Sequence, residues 1–305
     1  MDLHADRLLL ANSERVFVLD ATWRALAETT HPWMGGVHDV LADEDGFWVC
    51  CTSADLLVKF SWDGSVLREW EWRGDDALRG RLDLSFVTPI DRSLDYRDPA
   101  VPARAVSSLV HLNSLSKHSE GLVVSLGRVS SRRQVHRARI RSMISRFSPK
   151  RQLPRQRGSG RPASLLFAGS SNARSAIILL EATETKLLRL AYGTSVPDHN
   201  GILTDNTLVY NDTNNDRVVE SQIMNSQNAQ SISIPGNPAF VRRLMQIGPR
   251  RFLVGSQAPA AVHEVDFAAR KLVRSLPIGG EPHESVYAVC GLTENFNDPP
   301  ANLQL

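Results

Sequence analysis

The chain has 305 residues, of which 42% are hydrophobic, and a formal net charge of +2 at pH 7. No apolar run approaches the roughly 20 residues that a membrane-spanning helix needs. Because the start Met1–Arg7 is charged and the apolar run Leu8–Ala11 is short, we expect no signal peptide here. Three cysteines, two of them adjacent, do not form a disulfide framework. We therefore expect a folded cytoplasmic protein without a membrane span.

The chain begins with three predicted strands and continues with a complete four-stranded unit. The first three are Arg7–Ala11, Arg15–Leu19 and Arg24–Glu28, with no strand expected before them. The unit at 36–72 contains the pair Asp63-Gly64, which is typical of a tight β-hairpin. The strands predicted for this unit are Val37–Ala42, Phe47–Thr52, Leu56–Trp62 and Val66–Trp70.

Residues 73–104 form a long connection that we expect to be ordered, because it mixes Phe86 and Tyr96 with charged residues. Loops longer than about 12–15 residues are usually functional or disordered. The segment leads directly into His111, so we predict that Tyr96 and Arg97 bind substrate near that residue. A plain surface crossover is the alternative.

The next unit, 105–191, is interrupted by a strongly basic insertion at 128–163. Between Gly121 and Leu180 the chain has twelve arginines and Lys150 but no Asp or Glu. Repeated Pro, Gly and Ser steps argue against a packed core, so we expect a disordered insertion that folds back on the acidic remainder of the protein. The segment Gln134–Phe147 has the pattern of a basic amphipathic helix, and a nucleic acid, an anionic lipid or an acidic partner is the alternative contact.

Two further units, 196–235 and 238–277, repeat a short phrase that also opens the earlier units. The phrase has a polar residue at the start of one apolar strand and a second apolar strand nine to eleven residues later. Leading positions 199, 242 and 283 are separated by 43 and 41 residues, which matches the period of a four-stranded propeller blade. The leading residues of the five copies are His38, His111, His199, Arg242 and His283.

These units predict an all-β protein with a single β-propeller domain spanning 1–305. We count five four-stranded blades, and we expect 283–292 to join the N-terminal strands and close the ring. A sixth blade inside the insertion stays open, because Leu165–Ala168 is also strand-like. An irregular β-sandwich would not explain a repeated phrase that begins with histidine in four copies.

The leading residues predict a site at the centre of the ring, because the innermost strands of a propeller surround a channel. Neutral imidazole binds zinc, iron, copper and nickel, so His38, His111, His199 and His283 are candidate ligands of one divalent metal. Arg242 could bind a carboxylate, sulfate or phosphate through two parallel hydrogen bonds. The polar residues that follow in the same copies, which we predict to act in catalysis or to orient the imidazoles, are Asp39, Asn113, Asn200 and Glu284.

The repeat resembles NHL-type β-propellers through Val37-His38-Asp39-Val40, the segment 45–49 and the Asp63-Gly64 hairpin. Two enzyme families are similar in arrangement. The peptidylglycine lyase propeller binds zinc through central histidines, and the carotenoid-cleaving oxygenases hold iron with four histidines from different blades. The chain departs from the oxygenases in size and blade number, so only the four-histidine arrangement is implied here. The arylsulfotransferase propeller, in which a central histidine accepts sulfate, implies a metal-free alternative.

These features predict a metal-dependent enzyme that acts on a small anionic metabolite held by Arg242. Iron would favour oxygenase chemistry, and zinc would favour lyase or hydrolase chemistry through an activated water. A metal-free transferase that uses a central histidine is one alternative. A non-catalytic propeller that binds a protein or a ligand is the other, since fold alone does not determine function. We expect a monomer or a weak oligomer.

Overall fold

The computed structural model describes residues 1–84, 89–98, 101, 109–130, 174–193, 196–223, 225–236, 238–278, 286, 288–292 and 295–296. Within these residues the chain forms five antiparallel sheets of four strands each, arranged as the blades of a propeller. The predicted fold class and the count of five blades are therefore confirmed. The predicted strand Leu165–Ala168 and the helix Gln134–Phe147 lie outside the described residues.

Each blade uses four consecutive strands, each paired with its neighbours in the chain. Blade one contains β1 (Asp2–His4), β2 (Arg7–Ala11), β3 (Arg15–Leu19) and β4 (Ala25–Thr30). Blade two contains β5 (Val37–Ala42), β6 (Gly46–Cys51), β7 (Leu56–Ser61) and β8 (Val66–Trp70). Blade three contains β9 (Leu112–His118), β10 (Gly121–Leu126), β11 (Arg174–Glu181) and β12 (Thr185–Tyr192).

Blade four contains β13 (Asp198–Thr204), β14 (Thr207–Asp212), β15 (Arg217–Gln222) and β16 (Asn225–Ser233). Blade five contains β17 (Arg242–Gly248), β18 (Arg251–Gln257), β19 (Ala260–Asp266) and β20 (Lys271–Pro277). One short α-helix, α1 (Asp76–Arg81), follows blade two, and the side chain of Asp75 caps it by accepting a hydrogen bond from the Leu78 backbone. None of the helices in the described part of the chain has the length and apolar character needed to cross a membrane.

Blade one differs from the prediction at its innermost strand. Strand β1 pairs with β2, from Asp2 opposite Leu9 to His4 opposite Arg7, and it also contacts β5. All four strands of this blade therefore come from the N-terminal part of the chain. The expected contribution of 283–292 to the blade is wrong. In the described part of that segment, the Val286 backbone donates to the carbonyl of Ser256 in blade five, at 3.0 Å.

The hydrophobic core lies between consecutive blades, because neighbouring residues on a strand face opposite sides of the sheet. In β10, Val123 packs with Leu208 of blade four. The next residue, Val124, packs with Leu57 of blade two. The sheet of blade three is thus buried on both faces, which holds its innermost strand in place around the axis.

The innermost strands of blades two to five share a β-bulge close to their first residues. In each, the strand has one more residue than its partner, so its register shifts by one. Bulges redirect side chains and are frequent beside active sites. The extra residues fall between Val37 and Val40, Leu112 and Ser114, His199 and Ile202, and Arg242 and Leu244.

Candidate functional site

Four of the five predicted leading residues are described, and each lies where an innermost strand begins. His38 is the second residue of β5, His111 immediately precedes β9, His199 is the second residue of β13, and Arg242 is the first residue of β17. His38 is exposed, whereas His199 is only 3% exposed, so the group extends from the surface into the protein. His283 and Glu284 lie outside the described residues.

The three described imidazoles form one cluster around Gly127. The ring centres of His38 and His111 are 4.7 Å apart, and the rings are nearly perpendicular. A Cβ atom added to Gly127 would lie 3.3 Å from His111 Cδ2, 3.4 Å from His199 Nε2 and 3.3 Å from Asn113 Nδ2. The absent side chain of Gly127 therefore leaves these three groups facing a common point.

Burial and nearby positive charge keep all three imidazoles neutral. The pKa of His199 is lowered well below its usual value by burial, then by Arg242 and the two other histidines. Burial, His38, Arg128 and Arg242 lower the pKa of His111 in the same way. Solvent reaches His38, yet the protein packed around it and the charge of Arg242 lower its pKa to about 4. Neutral imidazoles can accept a proton or bind a metal at pH 7.

Each of two imidazoles has one ring nitrogen in a hydrogen bond. His199 Nδ1 lies 2.8 Å from Thr213 Oγ1, and the same hydroxyl donates to the carbonyl of Val241, also at 2.8 Å. His38 Nδ1 lies 3.4 Å from Asn113 Nδ2. These bonds leave the Nε2 atoms of His199 and His38 as the nitrogens available to a ligand.

Two aspartates hold the backbone that leads into the site. Asp55, which is fully buried, accepts hydrogen bonds from the backbone N–H groups of Leu109, Val110 and His111. His111 has a φ of 52°, a left-handed conformation that is uncommon for a residue other than glycine. In the equivalent position of blade four, Asp216 accepts a hydrogen bond from the backbone of Phe240, at 2.8 Å. These carboxylates fix the chain before His111 and before Arg242.

The predicted catalytic residue Asp39 lies in a buried ion pair. Its Oδ1 accepts a hydrogen bond from Arg243 Nη1 at 2.5 Å, and its Oδ2 accepts one from the backbone of Leu115 at 2.9 Å. Arg243 also donates to the carbonyl of Met1 at 3.1 Å. The backbone N–H of Val40 also donates to Oδ1, at 3.0 Å. The carboxylate thus connects blades two, three and five, and its hydrogen bonds are with these groups rather than with an imidazole.

The structure separates the other predicted residues from one another. Asn113 is buried within the imidazole cluster. Asn200 follows His199 in β13, has a φ of 50°, and its backbone N–H donates to Ser114 Oγ. Tyr96 is only 1% exposed and packs in the core between blades one and two. Arg97 pairs with Asp95 at 2.6 Å and donates to Thr30, so neither residue of this pair of predicted substrate contacts has a hydrogen bond to the cluster.

Sequence reasoning missed Arg128, Asp55 and Thr213. Arg128 fell inside the predicted insertion, but in the structure its backbone N–H donates to the carbonyl of Val110, and its charge lowers the pKa of His111. Val129 and Ser130 are also buried and hydrogen-bonded, so residues 128–130 are part of the folded blade rather than of an insertion. The sequence does contain a signal for Asp55 and Thr213. A threonine follows His38 and His199 after 14 residues in both blades, and an aspartate follows after 17.

The predicted metal site is not reproduced in the part of the chain that the structure describes. Among those residues, no group of three or more His, Cys, Asp or Glu side chains has an arrangement that could hold a metal ion. The fourth predicted ligand, His283, is outside them. The metal therefore stays a prediction.

Acid should destabilise the fold through these histidines. Their pKa values are lower in the folded protein than in the unfolded chain, so unfolding takes up protons below about pH 6.5. The stabilisation is complete above that pH and is lost as the pH falls toward about 4, the pKa of His38. We expect the thermal midpoint to fall between pH 7.5 and 5. The pH dependence should be weaker in His199→Gln than in His118→Gln, whose histidine lies at the far end of β9. Equal pH dependence in these two variants would contradict the assignment.

No known protein family and no curated protein matches this chain. Among solved structures, it is similar to a streptogramin B lyase, with a TM-score of 0.50 and 10% sequence identity over 92% of this chain and 83% of that one. It is also similar to virginiamycin B lyase from Staphylococcus aureus, with a TM-score of 0.47, 9% identity, and coverage of 88% of this chain and 65% of that one, slightly less than two thirds. The similarity to the streptogramin B lyase supports a shared propeller fold, and an identity of 10% shows no shared activity.

Proposed function

We propose that the protein is an enzyme that binds a small anionic metabolite at the imidazole cluster and acts on it by proton transfer to an imidazole. The observation that carries this proposal is the clustering of three imidazoles, with 4.7 Å between the ring centres of His38 and His111 and with His111 and His199 both beside Gly127. The charge of Arg242 acts on all three rings. Neutral imidazole is the commonest general base in enzymes. A guanidinium beside it suits a carboxylate, sulfate or phosphate.

The charge balance of the cluster favours an anionic ligand. Arg242 lowers the pKa of all three imidazoles, and Arg128 adds to the effect at His111. A bound anion would interact favourably with this positive charge.

Binding of the anion would also activate the base. Because Arg242 is the largest charge effect on His38 and His199, an anion on its guanidinium would raise the pKa of both rings. A general base is most effective when its pKa approaches the working pH. Proton transfer would therefore be favoured only once the substrate is bound.

A metal-dependent version of this site is the second candidate. The observation that favours it is that His199 donates from Nδ1 to Thr213 Oγ1, the kind of hydrogen bond that orients a metal-binding imidazole in known sites. His199 Nε2, with His38, His111 and His283, would supply the ligands. A bound zinc or iron would supply Lewis-acid or oxygen chemistry. Arg242 would repel the cation, so this version also requires an anionic ligand.

Anion binding should depend on Arg242. We expect phosphate, sulfate or a small carboxylate to raise the thermal midpoint of the wild-type protein, since a ligand at 100 times its Kd stabilises by about 2.7 kcal/mol. Arg242→Met should lose most of this increase, whereas Arg242→Lys should keep part of it because an ammonium cannot form two parallel bonds. The matched control is Arg24→Met, at a side chain that is 76% exposed. An undiminished response in Arg242→Met would contradict the proposal.

Turnover and metal content distinguish the candidates. Small carboxylates and their esters can be followed by proton NMR in D2O, which detects both exchange of a C–H proton and ester hydrolysis. We expect His199→Gln to lower the turnover rate of whichever compound reacts by roughly 10²–10⁴-fold. Metal found by elemental analysis and lost in His199→Gln would favour the metal-dependent version. If the protein binds anions but turns over none of these carboxylates or esters, a ligand-binding propeller without catalysis would be favoured.

A further inference from the structure

His38 and His199 occupy equivalent positions in blades two and four. Each is the second residue of an innermost strand, and each is followed after 14 residues by a threonine, Thr52 or Thr213. Both threonines donate their hydroxyl proton to the first strand segment of the next blade, Thr52 to the carbonyl of Leu112 and Thr213 to that of Val241. The hydrogen-bond partners of the two imidazoles nevertheless differ.

Thr213 determines which ring nitrogen of neutral His199 carries the proton. A hydroxyl has one hydrogen, and a carbonyl oxygen can only accept. Because Thr213 donates that hydrogen to Val241 at 2.8 Å, its oxygen must accept from His199 Nδ1, also at 2.8 Å. The neutral ring therefore carries its proton on Nδ1. Nε2, the atom closest to Gly127, has a free lone pair.

Asn113 determines which ring nitrogen of neutral His38 carries the proton. Its Nδ1 lies 3.4 Å from the side-chain nitrogen of Asn113, and an amide nitrogen can only donate. His38 Nδ1 must then accept, so the neutral ring carries its proton on Nε2. The ring is exposed, which leaves this N–H accessible to a ligand.

We infer that His38 and His199 are held in opposite neutral tautomers, so that the site offers one imidazole hydrogen-bond donor and one imidazole acceptor. His199 Nε2 is the base, and His38 Nε2–H donates to an acceptor oxygen of the substrate. A neutral imidazole N–H can polarise a carbonyl in this way. The substrate is then an anion that carries both a transferable proton and a carbonyl or carboxylate oxygen. This substrate class rests on the proposed function, whereas the tautomers do not.

Nitrogen NMR of the ligand-free protein at pH 7.5 tests the tautomers directly, because protonated and unprotonated ring nitrogens have well-separated shifts. The signals are assigned with His38→Gln and His199→Gln. We expect His199 to be protonated at Nδ1 and His38 at Nε2. The same tautomer in both rings would overturn the inference.

Three variants test the cause of the tautomers. Thr213→Ser keeps the hydroxyl and should keep the Nδ1–H form of His199, whereas Thr213→Val should lose it. Asn113→Asp replaces a donor by groups that only accept, so it should switch His38 to the Nδ1–H form and leave His199 unchanged. No switch in Asn113→Asp would show that Asn113 does not set the tautomer and would overturn this part.

The two proposals fail separately. Arg242→Met should abolish the response to anions while leaving both tautomers as they are in the wild-type protein. If His38 and His199 have opposite tautomers but the wild-type protein does not respond to anions, the proposed function and the substrate class are wrong. The tautomer assignment still stands in that case. If both rings have the same tautomer and the wild-type protein still responds to anions, the proposed function stands and the inference of opposite tautomers is wrong.

Discussion

Asp39→Ala should lower the free energy of unfolding by about 3–5 kcal/mol, the usual cost of removing one partner of a buried ion pair. The side chains of Asp39 and Arg243 are only 4% and 9% exposed. Without the carboxylate, the buried guanidinium of Arg243 would lose one of its acceptors and keep the carbonyl of Met1, and the backbone N–H of Leu115 would lose the carboxylate that accepts its hydrogen bond. Unfolding in urea measures the change.

The double variant Asp39→Leu with Arg243→Met should recover much of this loss, because apolar residues of similar volume often replace a buried ion pair at little cost. The control is Glu28→Ala at the surface pair of Arg15 and Glu28, where the side chains are 50% and 43% exposed. It should cost less than about 1 kcal/mol. A similarly small loss in Asp39→Ala would mean that the pair does not connect the blades.

The regular parts of the fold were predictable because they depend on local patterns. The strands Val37–Ala42 and Val66–Trp70 have the predicted bounds, since alternating side chains and the Asp63-Gly64 turn report directly on a hairpin. Strand β1 was not predictable. Asp2–His4 is too short to show an alternating pattern, and its pairing with β2 and contact with β5 depend on the folded chain.

Repeat phase indicated part of the imidazole cluster. His38 and His199 each lie second in an innermost strand, whereas His111 immediately precedes β9, so only two of the three imidazoles occupy equivalent positions. The repeat marks the position of Asp55, since Asp216 follows His199 at the same distance of 17 residues. It does not show the role of Asp55, because the backbone N–H groups that it binds lie 54 to 56 residues further along the chain. The tautomers are likewise set by contacts between blades, such as that of Thr213 with Val241.

Asp55→Asn should strongly destabilise the protein and disturb the site. The carboxylate accepts three backbone N–H groups, through Oδ2 from Leu109 and Val110 and through Oδ1 from His111. An asparagine has one acceptor oxygen, and its NH2 group would face at least one of these donors. Each buried N–H left without an acceptor costs about 1–3 kcal/mol. The left-handed conformation of His111, with φ 52°, would also lose its support.

Asp216→Asn is the matched control, because Asp216 has the equivalent place in blade four but accepts a hydrogen bond from the backbone of Phe240 through one oxygen. An asparagine can keep that bond, so the loss should be below about 1 kcal/mol. Urea unfolding measures both variants. The ring centres of His38 and His111 are 4.7 Å apart, and this contact should weaken only in Asp55→Asn. Changed histidine signals in proton NMR would report the loss of the contact. Equal losses in the two variants would mean that the three N–H groups find other acceptors, and Asp55 would then not be the residue that positions His111.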